Sequence, residues 1–162
     1  MSDINEIVVN KLKELQATIA TAESCTGGLI AATIVNVSGA SSVFNEGYIT
    51  YANEAKVKNV GVLQETLDTF GAVSEEVAHQ MAVGVKTTAR ADFGISSTGI
   101  AGPTGGTKDK PVGLVYISCA YLDKVVVRKL NLNGNRDVIR NQAVENALEL
   151  LSDCIDLYKE SL

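Results

Sequence analysis

Apolar residues recur along this chain in two rhythms, one helical and one extended, and the two alternate from the first residues to the last. Ile4, Ile7, Val8, Leu12 and Leu15 fall on one helical stripe, and Asp3 with Glu6 reads as a capping box that opens it. An extended apolar run at 18–22 follows, then a helix-length run at 29–37. A polar loop at 38–42 leads to a second strand-like run at 48–51 and a short helix carrying Lys56. A helix over 64–69 is stopped by Gly71, and Ser74 caps the next one. There Glu75 and Glu76 suit the helix dipole, and Val77, Ala78, Met81, Ala82 and Val85 form the buried stripe. A third strand at 93–97 runs into a long Gly-rich loop ending near Lys110. Runs at 112–121 and 124–132, joined by Leu122-Asp123, predict an antiparallel hairpin, and a helix over 136–158 closes the pattern. Strand-helix alternation with a late hairpin implies an α/β fold with a mixed sheet and helices on both faces.

Three predicted strands end in polar, reactive turns. The first is Thr21-Ala22-Glu23-Ser24-Cys25-Thr26-Gly27-Gly28, where the glycines allow close approach of a ligand and the first amides of the following helix are expected to be free. The second is Thr50-Tyr51-Ala52-Asn53-Glu54-Ala55-Lys56. The third runs from Ser97 and Thr98 through Gly99 to Gly106. Ligands of open α/β sheets bind outside the carboxyl ends of the strands, so the three turns can converge on one site.

These segments, with GASSVFNEGYITYANEAK, GAVSEEV, STGIAGPTGG, KPVGLVYI and GNRDVIRNQA, resemble the C-terminal domain of the CinA (competence/damage-inducible) proteins, whose stand-alone form is a nicotinamide mononucleotide (NMN) deamidase. The resemblance runs from about Ile7 to Leu157. It implies a three-layer α/β/α sandwich whose mostly parallel sheet has about five strands, one of them antiparallel. It also implies hydrolysis of the NMN carboxamide to nicotinate mononucleotide and ammonia, without a cofactor.

Composition fits this expectation. At 162 residues, 46% of them apolar and 20% charged, the chain is long enough for one well-filled core, and a single domain over 1–162 is expected. No apolar stretch approaches membrane-spanning length and no basic region precedes an apolar run at the N-terminus, so a cytoplasmic location without membrane partners is expected. A net charge of −5 with scattered basic residues argues against nucleic-acid binding. Cys25, Cys119 and Cys154 show no paired spacing, which predicts neither a disulfide nor a zinc site. A homo-oligomer, preferably a dimer, is expected.

Amide hydrolysis needs a nucleophile, a base and donors for the oxyanion. The one histidine, His79, sits mid-helix and reads as solvated or structural, which leaves no Ser-His-Asp triad. No carboxylate or histidine cluster has metal-ligand spacing. A lysine base remains, provided burial or a nearby cation keeps it neutral, and Lys56 lies one helical turn beyond a strand end. The resemblance assigns the nucleophile to Ser24 and the base to Lys56, with Tyr51 orienting the pair and Ser41 and Thr98 contacting the reacting group. From the residues alone, the hydroxyls of Tyr51, Ser41 and Thr98 read more readily as groups satisfying backbone at strand ends. Cys25 competes with Ser24 as the better intrinsic nucleophile. Arg136 and Arg140, one turn apart, form a candidate phosphate clamp, with the choice between them open. Glu23 is open between a hydrogen-bonding and a catalytic role.

Overall fold

The protein is described by a computed structural model covering residues 3–162. Five strands form one sheet in the order β2-β1-β3-β4-β5: β1 (Ile19–Glu23), β2 (Phe44–Ile49), β3 (Phe93–Gly99), β4 (Leu114–Tyr121) and β5 (Lys124–Asn131). β1 pairs in parallel with both β2 and β3, and β4 alone runs against the rest. The expected mixed, mostly parallel sheet is what the chain forms. The parallel strands put the carboxyl ends of β1, β2 and β3 side by side, and this sets the location of the site.

Helices cover both faces. α1 (Ile4–Leu15), α2 (Leu29–Val35) and α6 (Arg136–Glu160) pack together on one face. α3 (Asn53–Val60), α4 (Gln64–Phe70) and α5 (Glu75–Ala89) pack on the other. Alternation along each strand feeds both layers. In β1, Ile19 packs beneath the first layer, whereas Ala20 and Ala22 meet Val77, Met81 and Val85 of α5 beneath the second. The five apolar positions expected of α5 are all buried, and the Ser74 hydroxyl accepts from the Val77 amide as a helix cap.

Several local expectations are corrected. Asp3 stands at the N-cap of α1 with φ −94° and ψ 22°, and makes no side-chain cap bond; this near-helical backbone does not present its carboxylate to the amides it was expected to bind. The buried stripe of α1 is Val8, Val9 and Leu12, and Ile7 is exposed. β2 begins at Phe44, four residues earlier than expected, and ends at Ile49. It is an edge strand with mostly exposed residues, so it lacks the continuous apolar run that reveals a buried strand.

Candidate active site

β1 ends at Glu23, and the next five residues turn into α2. Gly27 (φ 58°) and Gly28 (φ 102°) hold left-handed backbone in that turn, which is where the chain needs glycine. Ser24, the first residue past the strand, is anchored by its amide to the Ser97 carbonyl of β3 at 3.0 Å. Its hydroxyl lies 3.3 Å from Lys56 Nζ.

Lys56 reaches this point from the first turn of α3 and is 1% exposed. Its Nζ donates to the carbonyls of Thr50 at 2.9 Å and Tyr51 at 3.2 Å. Carbonyl oxygens only accept. A neutral amine has two N–H bonds and one lone pair, so with both N–H bonds directed at the two carbonyls the lone pair is left for the Ser24 hydroxyl. Burial drives the Lys56 pKa down, opposed by the nearby Cys25 sulfur. Cys25 itself is pushed up to about 11, first by burial. Its thiol is therefore uncharged near neutral pH and leaves the lowering of Lys56 in force. No aspartate or glutamate lines the cleft around the pair.

The cleft holds about 200 Å³ and lies outside the carboxyl ends of the three parallel strands. Ser24, Cys25, Tyr51, Asn53 and Lys56 line it together with Ala72, Val73, Thr98, Gly99, Ala101 and Arg136. The three turns do converge. The Thr98 hydroxyl donates to the Ala72 carbonyl at 2.8 Å, so it ties two walls together. Tyr51 is 62% exposed, and its hydroxyl accepts from Arg136 at 3.3 Å. Arg136 also donates to the Gly102 carbonyl at 2.8 Å.

Other expected site residues are placed elsewhere. Ser41 sits in a 3-10 turn, Ala40–Ser42, before β2 and hence at the amino edge of the sheet, across from the cleft. Arg140, one turn beyond Arg136, turns inward instead of into the cleft. It donates to the carbonyls of Cys25 at 3.0 Å and Thr26 at 3.1 Å. Gly27 does not line the cleft; a Cβ there would stand 3.2 Å from the Arg140 guanidinium. Gly28 faces Ile49 in the same way. His79 is exposed on α5, remote from Ser24.

The free amides expected at the start of α2 are occupied. Glu23, 1% exposed, accepts from Ile30 N at 2.8 Å, Ala31 N at 3.0 Å and the Thr26 hydroxyl at 2.6 Å. Its carboxylate caps the helix and is not in the cleft. Thr26 Oγ lies 2.6 Å from Ser97 Oγ, extending this buried network to β3. In the turn itself, the amides of Cys25, Thr26 and Gly28 have no carbonyl acceptor among the described residues.

Asn53, Ala72 and Val73 line the cleft without having been singled out from sequence. Asn53 carried a signal: it precedes Lys56 by three residues in a helix, which puts both on one face.

The CinA C-terminal domain profile matches residues 1–155. The chain belongs to this family. It is 58% identical over 148 residues to a CinA-like protein of Kosmotoga olearia, covering 91% of this chain and 36% of that protein. The chain therefore spans about a third of the length of the curated relatives it matches. Among solved structures, a competence/damage-inducible protein from Agrobacterium tumefaciens superposes with TM-score 0.91 at 41% identity, covering 96% of this chain and 97% of that one. A competence damage-inducible protein A from Klebsiella pneumoniae superposes with TM-score 0.90 at 31% identity, covering 93% and 94%. The CinA fold is thus shown by close matches along nearly the whole length. No helix among the described residues is long and apolar enough to cross a membrane.

Proposed function

We propose that this CinA-family domain hydrolyses the carboxamide of nicotinamide mononucleotide, giving nicotinate mononucleotide and ammonia, and so returns a pyridine nucleotide to use. The observation that carries the reading is the buried Lys56 amine 3.3 Å from the Ser24 hydroxyl, with no carboxylate in the cleft to hold it protonated. In the first half-reaction Ser24 Oγ bonds to the carboxamide carbon while Lys56 Nζ takes the hydroxyl proton. That proton passes to the leaving nitrogen as the C–N bond breaks, releasing ammonia and leaving an ester on Ser24. In the second, water attacks the ester, Lys56 accepts its proton, and the proton returns to Ser24 Oγ as the acid departs. The amides of Cys25 and Thr26, which have no carbonyl acceptor among the described residues, are the nearest backbone donors in sequence to the oxyanion that develops beside Ser24.

The pyridinium of the substrate adds a cation beside Lys56 and further favours the neutral amine. Tyr51 offers an aromatic face to that cation, and Arg136 at the cleft mouth offers a guanidinium to the phosphate. Ammonia release from NMN by the purified protein, compared with Ser24→Ala, tests the proposal. Equal release from both proteins, or none from the wild type, rejects it. Wild-type turnover of another small amide, with no release from NMN, selects a hydrolase of different specificity. Binding of NMN without turnover selects a nucleotide-binding role.

A further inference from the structure

The turn that carries Ser24 is gripped from two sides by opposite charges that do not meet each other. Glu23 holds its amide side through Ile30 N, Ala31 N and the Thr26 hydroxyl. Arg140, from α6 and more than a hundred residues away in sequence, holds its carbonyl side through Cys25 and Thr26. Gly27 passes close against the guanidinium, since a Cβ there would stand 3.2 Å from Arg140 Nη2. The Thr26 carbonyl also accepts from the Leu29 amide at 3.0 Å, whereas among the described residues Arg140 is the one donor to the Cys25 carbonyl, and the Thr26 amide of that peptide has no carbonyl acceptor.

We infer that Arg140 is a positioning residue for Ser24, fixing the peptide planes that follow the nucleophile, and that it takes no part in holding substrate. The inference rests on the reading of Ser24 as nucleophile. A trans peptide points its C=O and N–H in opposite directions. With the Cys25 carbonyl bound to Arg140, the Thr26 N–H is turned away from the guanidinium and kept available; with the Thr26 carbonyl bound as well, the Gly27 N–H is directed to the Ser24 carbonyl, where it bonds at 3.0 Å. The planar fork spans two adjacent carbonyls, which a lysine ammonium matches poorly. Small displacements of a reacting atom cost about 100-fold in rate.

The test uses the full chain with Arg140→Met and Arg140→Lys, and two readouts. One is NMN hydrolysis, resolved into kcat and KM. The other is the rate at which a fluorophosphonate labels Ser24, which needs no particular substrate, with Ser24→Ala as the blank. The expected result is a loss of about 100-fold in both kcat and labelling rate for Arg140→Met, with KM within about threefold and thermal unfolding still cooperative. Arg140→Lys should fall between it and the wild type. If Arg140→Met does not fold, Arg140→Lys decides, because it keeps the charge and most of the stem. Labelling rates within threefold of wild type in the folded variants overturn the inference. So does a rise in KM for NMN at unchanged kcat, which makes Arg140 a substrate ligand. If the wild type is labelled at Ser24 but leaves NMN intact, the NMN reading fails and labelling alone judges Arg140. If the wild type is not labelled, Ser24 is not held for reaction and the inference falls with it.

Discussion

Arg136 Nη2 lies 3.3 Å from the Tyr51 hydroxyl, so the opening residue of the last helix and the segment after β2 share one wall of the cleft. Arg136 is exposed, and its guanidinium donates to Tyr51 and Gly102. An anionic group at the cleft mouth can therefore meet it without displacing a buried partner. Arg136→Ala is expected to raise KM for NMN about tenfold while leaving kcat/KM for the phosphate-free riboside within twofold. Equal losses on both substrates remove the phosphate role.

Ser24 and Cys25 both reach the cleft, but only Ser24 meets Lys56. Ser24→Ala is expected to abolish turnover with the melting temperature nearly unchanged, and Cys25→Ser to keep most of it. With the Cys25 thiol pushed up to about 11, alkylation by iodoacetamide at pH 8 should be slow in the folded protein and fast in denaturant. Rapid alkylation that kills activity at pH 8 points instead to a thiolate nucleophile.

Lys56 should be deprotonated for reaction, so kcat/KM is expected to rise with pH up to a value below the ordinary lysine range and then level. Lys56→Arg and Lys56→Met should each lose about 100-fold or more in kcat. Stability gives a second readout. The folded state releases the Lys56 proton at lower pH than the unfolded chain, which holds it to about pH 10.4. Between those two values the unfolded state binds more protons, and folding stability rises with pH. Wild type should therefore trail Lys56→Met in urea midpoint at neutral pH and catch up as pH approaches 10. A constant gap across that range contradicts the lowered pKa.

The Glu23 carboxylate caps α2. Glu23→Ala takes the carboxylate acceptor from the Ile30 and Ala31 amides, the Thr26 hydroxyl keeping Ser97 as a partner, and is expected to cost about 2 kcal/mol in urea unfolding, while Glu23→Gln, which keeps one oxygen, costs about half of that. A Glu23→Gln protein of wild-type stability and no activity would move Glu23 into the reaction.

The place of the cleft was readable because strand-end chemistry is local: the Ser24 turn follows the apolar run at 18–22, and Lys56 stands one helical turn into the segment after another, whereas the choice of Ser24 over Cys25 came from the resemblance. The α5 stripe was readable for the same reason. What escaped depends on contacts distant in sequence or on strand ends. Glu23 finds its acceptor role seven and eight residues later, at Ile30 and Ala31. Arg136 and Arg140 are equivalent by spacing, yet one turn of α6 separates the cleft from the back of the Ser24 turn. Ser41 was drawn toward the site by a resemblance, but β2 starts at Phe44, and an exposed edge strand gives no apolar signal of its true start. In this single chain the Ser41 hydroxyl stands at the wrong end of that strand.

α6 contributes Arg136 to the cleft mouth and Arg140 to the back of the nucleophile turn, although it is the last element of the sequence. During synthesis, β1 to β3 and α3 can emerge and bring Ser24 near Lys56 before residue 136 has left the ribosome. Until α6 docks, the Cys25 carbonyl lacks its Arg140 donor. Because α6 also supplies much of the core, including Ile139, Leu148 and Leu151, a chain clipped before residue 136 loses packing as well as Arg140, and the geometry of the turn waits on this late helix.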